Sequence, residues 1–496
     1  MEHFDVIIVG AGLSGIGAAR QLQDKCPGKT FVVLEARDAI GGTWDLFRYP
    51  GIRSDSDMYT MGYDSKPWLE PKAIADGPSI LSYVQEAARE RGIDKLIRFG
   101  HRMKSAAWAS SDGRWTVDCE RGGAKLSLSC NVLLVCSGYY NYAHGHIPEF
   151  PGSGDFSGRI VHPQQWPQDL DYSGKRVVII GSGATAMTLV PAMASQAAKV
   201  TMLQRSPTYV VSLPAKDPIA TVLRKLLPEQ LAYRITRAKN VWFQRYIYQQ
   251  TRKQPHKMRT RLINMVRKQL GPEFDVAKHF TPSYMPWDQR LCLVPDADLF
   301  KALREGRADI VTDAIERFTS TGIKLKSGQE LHADIIVTAT GLDMEVLGGA
   351  SFSVDGKAVV FPETHSYKGM MFSDVPNLIY TLGYINASWT LRSELVAEYV
   401  CRLLNRMAEL GSVSCTPRLR PSDHDMAPHP MIEDFSPGYM RRALHLFPKQ
   451  GDRDPWRHTQ NYTLDKQTIR EAPLEDGVLE FARATAARDV DRRSAA

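Results

Sequence analysis

The chain has 496 residues, 43% hydrophobic and 24% charged, which is room for about three domains at ordinary globular composition and excludes disordered, collagen-like and coiled-coil architectures. Its first residues, Met1-Glu2-His3-Phe4-Asp5, are acidic where a secretory signal is basic, and no run reaches the ~18 apolar residues of a spanning helix; a cytoplasmic protein is expected. The net charge of +7 is concentrated, because 216–270 carry fourteen Lys and Arg against two acids, Asp217 and Glu229, and leave the remainder acidic.

In chain order, Phe4-Asp5-Val6-Ile7-Ile8-Val9 reads as a strand, Gly10-Ala11-Gly12-Leu13-Ser14-Gly15 as a glycine turn and Ile16 to Lys25 as a helix. A second strand from Thr30 ends in Glu35, which lies 20 residues beyond Gly15, the offset at which a carboxylate meets a ribose hydroxyl. Strand, turn, helix and acid together make Gly10, Gly12, Gly15 and Glu35 a dinucleotide cradle. Trp108 to Asp118 reads as a β-hairpin around Ser111-Asp112-Gly113-Arg114. The apolar run 132–138 ends in small residues, as does 334–341; such runs mark crossings between two nucleotide domains.

The cradle recurs about 170 residues later. Arg176-Val177-Val178-Ile179-Ile180 leads into Gly181-Ser182-Gly183-Ala184-Thr185-Ala186, and the strand after it, 199–203, ends in Gln204-Arg205-Ser206 in place of an acid. A guanidinium suits a 2′-phosphate that a carboxylate would repel, so FAD is expected at the first cradle and NADPH at the second. The seven cysteines (Cys26, Cys119, Cys130, Cys136, Cys292, Cys401, Cys415) include no Cys-x-x-Cys pair, which removes disulfide reductases and zinc clusters.

From Pro214 to about Gln289 the sequence turns basic, helical and aromatic, with Trp242, Phe243, Tyr246 and Ile247 on one side of a helix. The reading is an insertion whose aromatics pack on the core and whose Lys and Arg face water. A weak membrane-surface contact through 214–290 stays open, while no nucleic-acid module accompanies the charge. The polar tail 483–496 is expected to fray. The expected fold is α/β, with two Rossmann-like dinucleotide-binding domains: 1–150 and 375–496 for FAD, 151–213 and 291–374 for NADPH, and the helical insertion 214–290 within the second.

Two further segments separate flavoproteins that share this plan. Gly41-Gly42-Thr43-Trp44-Asp45-Leu46-Phe47-Arg48-Tyr49-Pro50-Gly51-Ile52-Arg53-Ser54-Asp55 and Phe156-Ser157-Gly158-Arg159-Ile160-Val161-His162-Pro163-Gln164-Gln165-Trp166-Pro167 resemble the two fingerprints of type I Baeyer–Villiger monooxygenases at every fixed position. The likeness extends from the first strand to about Tyr462 and is nearest to the bacterial subgroup typified by ethionamide monooxygenase. It implies an enzyme that uses FAD, NADPH and O2 to convert ketones to esters or lactones through a C4a-peroxyflavin, and that oxygenates sulfides and thioamides. A flavin N/S-oxygenase without useful Baeyer–Villiger activity is the nearest alternative; a binding or membrane-surface protein with vestigial cofactor sites is a more distant one.

The resemblance also assigns residues. Arg290 is the active-site cation and Asp55 the acid that orients it, with Asp57 a nearby substitute. Gly42, Thr43, Trp44 and Asp55 touch the cofactor beside the first cradle, and Gly181, Gly183, Thr185, Arg205 and Ser206 hold the second nucleotide. Many relatives carry Lys immediately before the arginine where this chain has Gln289, which places more of the NADPH selectivity on Arg205. His162 and Trp166 are read as coupling the domains. Gly383-Tyr384-Ile385-Asn386-Ala387-Ser388-Trp389-Thr390-Leu391 precedes a helix, expected from about Ser393, whose N-terminus can face the flavin.

Overall fold

The computed structural model describes residues 1–433, 435 and 437–483; nearly all of the tail expected to fray lies outside them. The fold is α/β, built on two sheets. In the first, of nine strands, a parallel set runs in the order Ile97–Arg98, Phe31–Leu34, Glu2–Val9 and Ala124–Val135, with Leu378–Tyr380 beyond. Val6, Ile7, Ile8 and Val9 are all buried, as a parallel strand covered on both faces requires. The expected hairpin pairs Arg102–Ala109 with Arg114–Arg121 and joins the edge of Ala124–Val135 as far as Cys130. From Leu133 onward Leu378–Tyr380 takes that edge.

The second sheet is wholly parallel, in the order Ala308–Thr312, Lys199–Gln204, Arg176–Ile180, Ile335–Thr338 and Arg159–Val161. Its first four strands repeat the order of the first sheet's parallel set. The two apolar runs that end in small residues are therefore the fourth strands of the two units. Tyr140–Gly145 and Leu342–Met344 pair antiparallel where the chain passes between them.

One boundary differs from expectation. Ser351–Val354 lies parallel to Arg102–Ala109 and is followed by Lys357–Ala358, so the chain re-enters the first sheet by Ser351, not at 375. Phe352 seals the edge by packing on Trp115, ring centroids 6.1 Å apart. A four-residue strand is too short for its periodicity to register in sequence.

The insertion holds helices Pro218–Leu226, Glu229–Lys253, Pro255–Leu270 and Val276–Phe280. Asp217 and Asp275 cap the first and last, accepting from Ala220 N (3.0 Å) and Lys278 N (3.0 Å). Pro255–Leu270 buries Leu262, Ile263, Val266 and Leu270 in the core of the second unit. Glu229–Lys253 instead reaches the first unit, where buried Arg237 donates to the carbonyls of Tyr59 (2.9 Å) and Gly62 (2.7 Å) and to Glu394 Oε2 (2.6 Å). The expectation that Trp242, Phe243 and Tyr246 pack on the core is overturned: they are 63%, 48% and 44% exposed. The periodic face is real, but Ala232, Tyr233, Thr236 and Arg237 occupy the inward side.

Candidate active site

A cavity of about 830 Å³ lies between the two units, lined by both glycine turns and by the segments carrying Asp55, Arg290 and Trp389. The turns are built alike. Gly10 has φ +105° and a Cβ there would lie 2.6 Å from Cys136 O; Gly181 has φ +135° and its Cβ would lie 2.3 Å from Ala339 O. The fourth strand of each unit thus fixes its first glycine. Gly15 is also locked, since a Cβ would lie 1.9 Å from Gly10 O. The middle glycines are free of such demands: Gly12 meets nothing nearer than Gly42 Cα at 3.6 Å, and Gly183 nothing within 4 Å. Room is kept over both helix N-termini, which is where a pyrophosphate would lie.

Glu35 is buried at the cavity wall, its carboxylate accepting from Ala11 N (2.8 Å) and Arg37 N (2.9 Å). Burial pushes its pKa up, against those two donors. Gly42, Thr43 and Trp44 line the same wall, and Thr43 Oγ1 hydrogen-bonds the phenol of Tyr140. Thr185 lines the second turn. Arg205 and Ser206 stand outside the wall, exposed beyond the end of Lys199–Gln204. Ser182 Oγ donates to Ser206 O (3.0 Å), which keeps that strand end beside the turn.

Asp55 and Arg290 come together across the cavity, Arg290 Nε lying 3.4 Å from Asp55 Oδ2. Desolvation works against the charged guanidinium, but the Asp55 carboxylate together with the nearby Tyr439, Tyr139 and Cys292 outweighs it and holds the Arg290 pKa above its ordinary value. Asp57 does not substitute for Asp55. It points the other way, capping Met58–Met61 through Thr60 N (3.1 Å) and accepting from Asn240 Nδ2 (2.9 Å) and Gln244 Nε2 (2.7 Å).

The helix Glu229–Lys253 therefore holds the Asp55 loop through Asn240 and Gln244. It also holds the Arg290 loop: Tyr248 packs edge-on against Trp287 (5.4 Å) and Arg252 Nη1 donates to Asp288 Oδ1 (3.0 Å). Trp287 has φ +74°, a left-handed conformation costly for a bulky residue and typical of segments over-determined around a site. This clamp carries no sequence signal, nor does Tyr439, which stands beside Arg290 on the helix Gly438–Ala443 and has its pKa raised by burial.

Trp389 forms another wall, stacked on Tyr139 with centroids 5.1 Å apart and donating from Nε1 to Ser14 Oγ (2.8 Å). A Cβ on Gly383 would lie 2.3 Å from that indole, which explains the glycine. The helix begins at Trp389, a turn earlier than expected from Ser393. His162 is outside the cavity wall and ties the crossing segments, with Nε2 3.2 Å from Gly341 O and Nδ1 accepting from Gln164 N (3.2 Å). Trp166 packs on the core of the second unit.

Two parallel units that each present a glycine turn to one shared cavity define a two-dinucleotide oxidoreductase fold. Residues 4–270 match the flavin-binding monooxygenase-like family. The chain is 54% identical to the FAD-containing monooxygenase EthA of Mycolicibacterium smegmatis over 98% of each chain. It is also 54% identical to EthA of Mycobacterium tuberculosis, over 97% of this chain and 98% of that one. Among solved structures, oxidized steroid monooxygenase bound to NADP superposes with a TM-score of 0.79 at 23% identity, over 97% of this chain and 100% of that one. The protein belongs to the flavin-binding monooxygenase family.

Proposed function

We infer that the protein binds FAD in the first cradle and NADPH in the second, and that it oxygenates small carbonyl and sulfur compounds. Its main reaction converts a ketone, O2 and NADPH, with a proton, to an ester or lactone, water and NADP⁺; sulfides and thioamides are oxygenated at the same place. FAD, once reduced by NADPH, supplies the activated oxygen.

The observation that carries this reading is the Asp55–Arg290 pair in the shared cavity. Attack on a ketone carbonyl puts negative charge on its oxygen, and a fixed cation in a confined site stabilises that charge far better than water does. Asp55 restrains Arg290 in one orientation, while Tyr439 offers a phenolic donor beside it. Gly12 and Gly183 leave room for the two pyrophosphates, and Glu35 offers a buried carboxylate to a ribose diol.

The test is turnover of a simple aliphatic ketone by the FAD-loaded protein with NADPH and ¹⁸O2, read by mass spectrometry. An ester carrying one ¹⁸O is expected. Sulfoxide or oxidised thioamide without ester would restrict the enzyme to S-oxygenation.

A further inference from the structure

The insertion turns an apolar face outward. On Glu229–Lys253 the exposed Leu231, Ile235, Trp242 and Tyr246 are spaced by four, seven and four residues, which places them on one side of a helix of 3.6 residues per turn. The helix Pro218–Leu226, packed against it, exposes Ile219, Val222 and Leu226. Trp242 and Tyr246 stack with centroids 5.4 Å and planes 9° apart, so they present one paired aromatic edge. The same two helices expose Arg224, Lys225, Arg234 and Arg245. Scattered exposed apolar residues need no explanation, but an aligned face rimmed by one sign of charge does.

The geometry points to a membrane-docking face: these two helices lie on an anionic lipid surface, with Trp242 and Tyr246 at headgroup depth and the Lys and Arg side chains on lipid phosphates. Trp and Tyr favour that depth because each has an apolar body and a polar tip, and an amphipathic helix with a basic rim lies in the interface plane. No helix among the described residues is long and apolar enough to cross a membrane, so the contact is peripheral. A second copy is the poorer occupant, since a two-fold contact would bring two of these basic segments face to face. The inner side of the same long helix clamps Asp57 and the Arg290 loop, so docking would set the cavity close to the bilayer. The inference stands on this surface alone and does not depend on the reaction proposed above.

The experiment is co-sedimentation of the full-length FAD-loaded protein with phosphatidylcholine vesicles, with and without about 30% phosphatidylserine, at ~0.1 M salt. Binding to the anionic vesicles only, with a blue shift of tryptophan emission, is expected. Lys225→Gln/Arg234→Gln should weaken it about 25-fold, at about fivefold per charge, and Trp242→Ser by roughly tenfold. Both variants should keep wild-type FAD absorbance and circular dichroism. Anionic vesicles that leave the wild type in the supernatant, or bind both variants as tightly as the wild type, would overturn the inference. So would a wild-type dimer that Trp242→Ser converts to monomer in analytical ultracentrifugation.

Discussion

The two nucleotide units share a strand order and a first-glycine geometry, yet they end differently. In the first, the second strand leads to Glu35, 6% exposed and fixed by two backbone donors. In the second it leads to Arg205, which stands in solvent beyond the strand end. One fold therefore supplies a closed strand end and an open one, a contrast that suits the proposed FAD, retained through turnover, and the proposed NADPH, released after it. Glycines set the common part; the residue beyond the second strand sets the difference.

The sharpest way to break this comparison is to separate the two kinds of glycine. Gly10→Ala forces a Cβ to 2.6 Å from Cys136 O at a positive φ, and loss of soluble folded protein is expected. Gly12→Ala meets only a 3.6 Å contact, so the chain should fold, with wild-type circular dichroism, but purify without flavin. A yellow Gly12→Ala protein with full FAD content would show that the space over that turn is not the pyrophosphate site.

Arg290 belongs to neither cradle, and removing it should spare both. Arg290→Ala is expected to bind FAD and be reduced by NADPH while ester formation falls about 10²–10³-fold, the usual loss for one oxyanion stabiliser; NADPH consumed should appear as hydrogen peroxide. Stopped-flow reoxidation beside product analysis checks this. Asp55→Ala should show the same pattern more mildly, because the cation remains without its orienting partner.

The open site is tested at Arg205. A charge-assisted contact to a 2′-phosphate contributes about 1.5–3 kcal/mol, so Arg205→Ala should weaken NADPH roughly 10- to 100-fold and leave NADH nearly unchanged. Equal losses in the Kd of both coenzymes would make Arg205 structural and dissolve the contrast with Glu35.

Much of this is legible in the sequence because it is local. A strand, a glycine turn, a helix and an acid at fixed offset occupy one short stretch, and both copies fold as that order dictates. What fails to register is what depends on distant neighbours. The side of an amphipathic helix that faces the core is not encoded in its period, hence the misplaced Trp242 and Tyr246. Asp55 and Asp57 differ only in which partners reach them, Arg290 for one and Asn240 with Gln244 for the other. Arg290 is found by resemblance, since nothing local marks it, and Tyr439 arrives from a helix far along the chain.

The smallest expected effect concerns how the second unit holds its own strands. Asp334, just before Ile335–Thr338, accepts from Arg176 N (2.8 Å) and Arg176 Nη2 (2.8 Å), tying two neighbouring strands at their starts. These bonds, the Arg176 side chain first and its backbone N–H second, hold the Asp334 pKa down at about 2 against an ordinary 3.8. A carboxylate with a depressed folded-state pKa stabilises the fold above its unfolded value and loses that contribution as pH falls through the folded one. Here the window runs from 3.8 down to about 2. The side chain is 37% exposed, so solvent screening reduces the contribution to below about 1 kcal/mol. Asp334→Asn should therefore lower the urea midpoint slightly near neutral pH, and the gap from wild type should narrow near pH ~3. A gap that persists unchanged at the acidic end would assign the effect to the hydrogen bonds that asparagine disrupts at every pH, not to the charge.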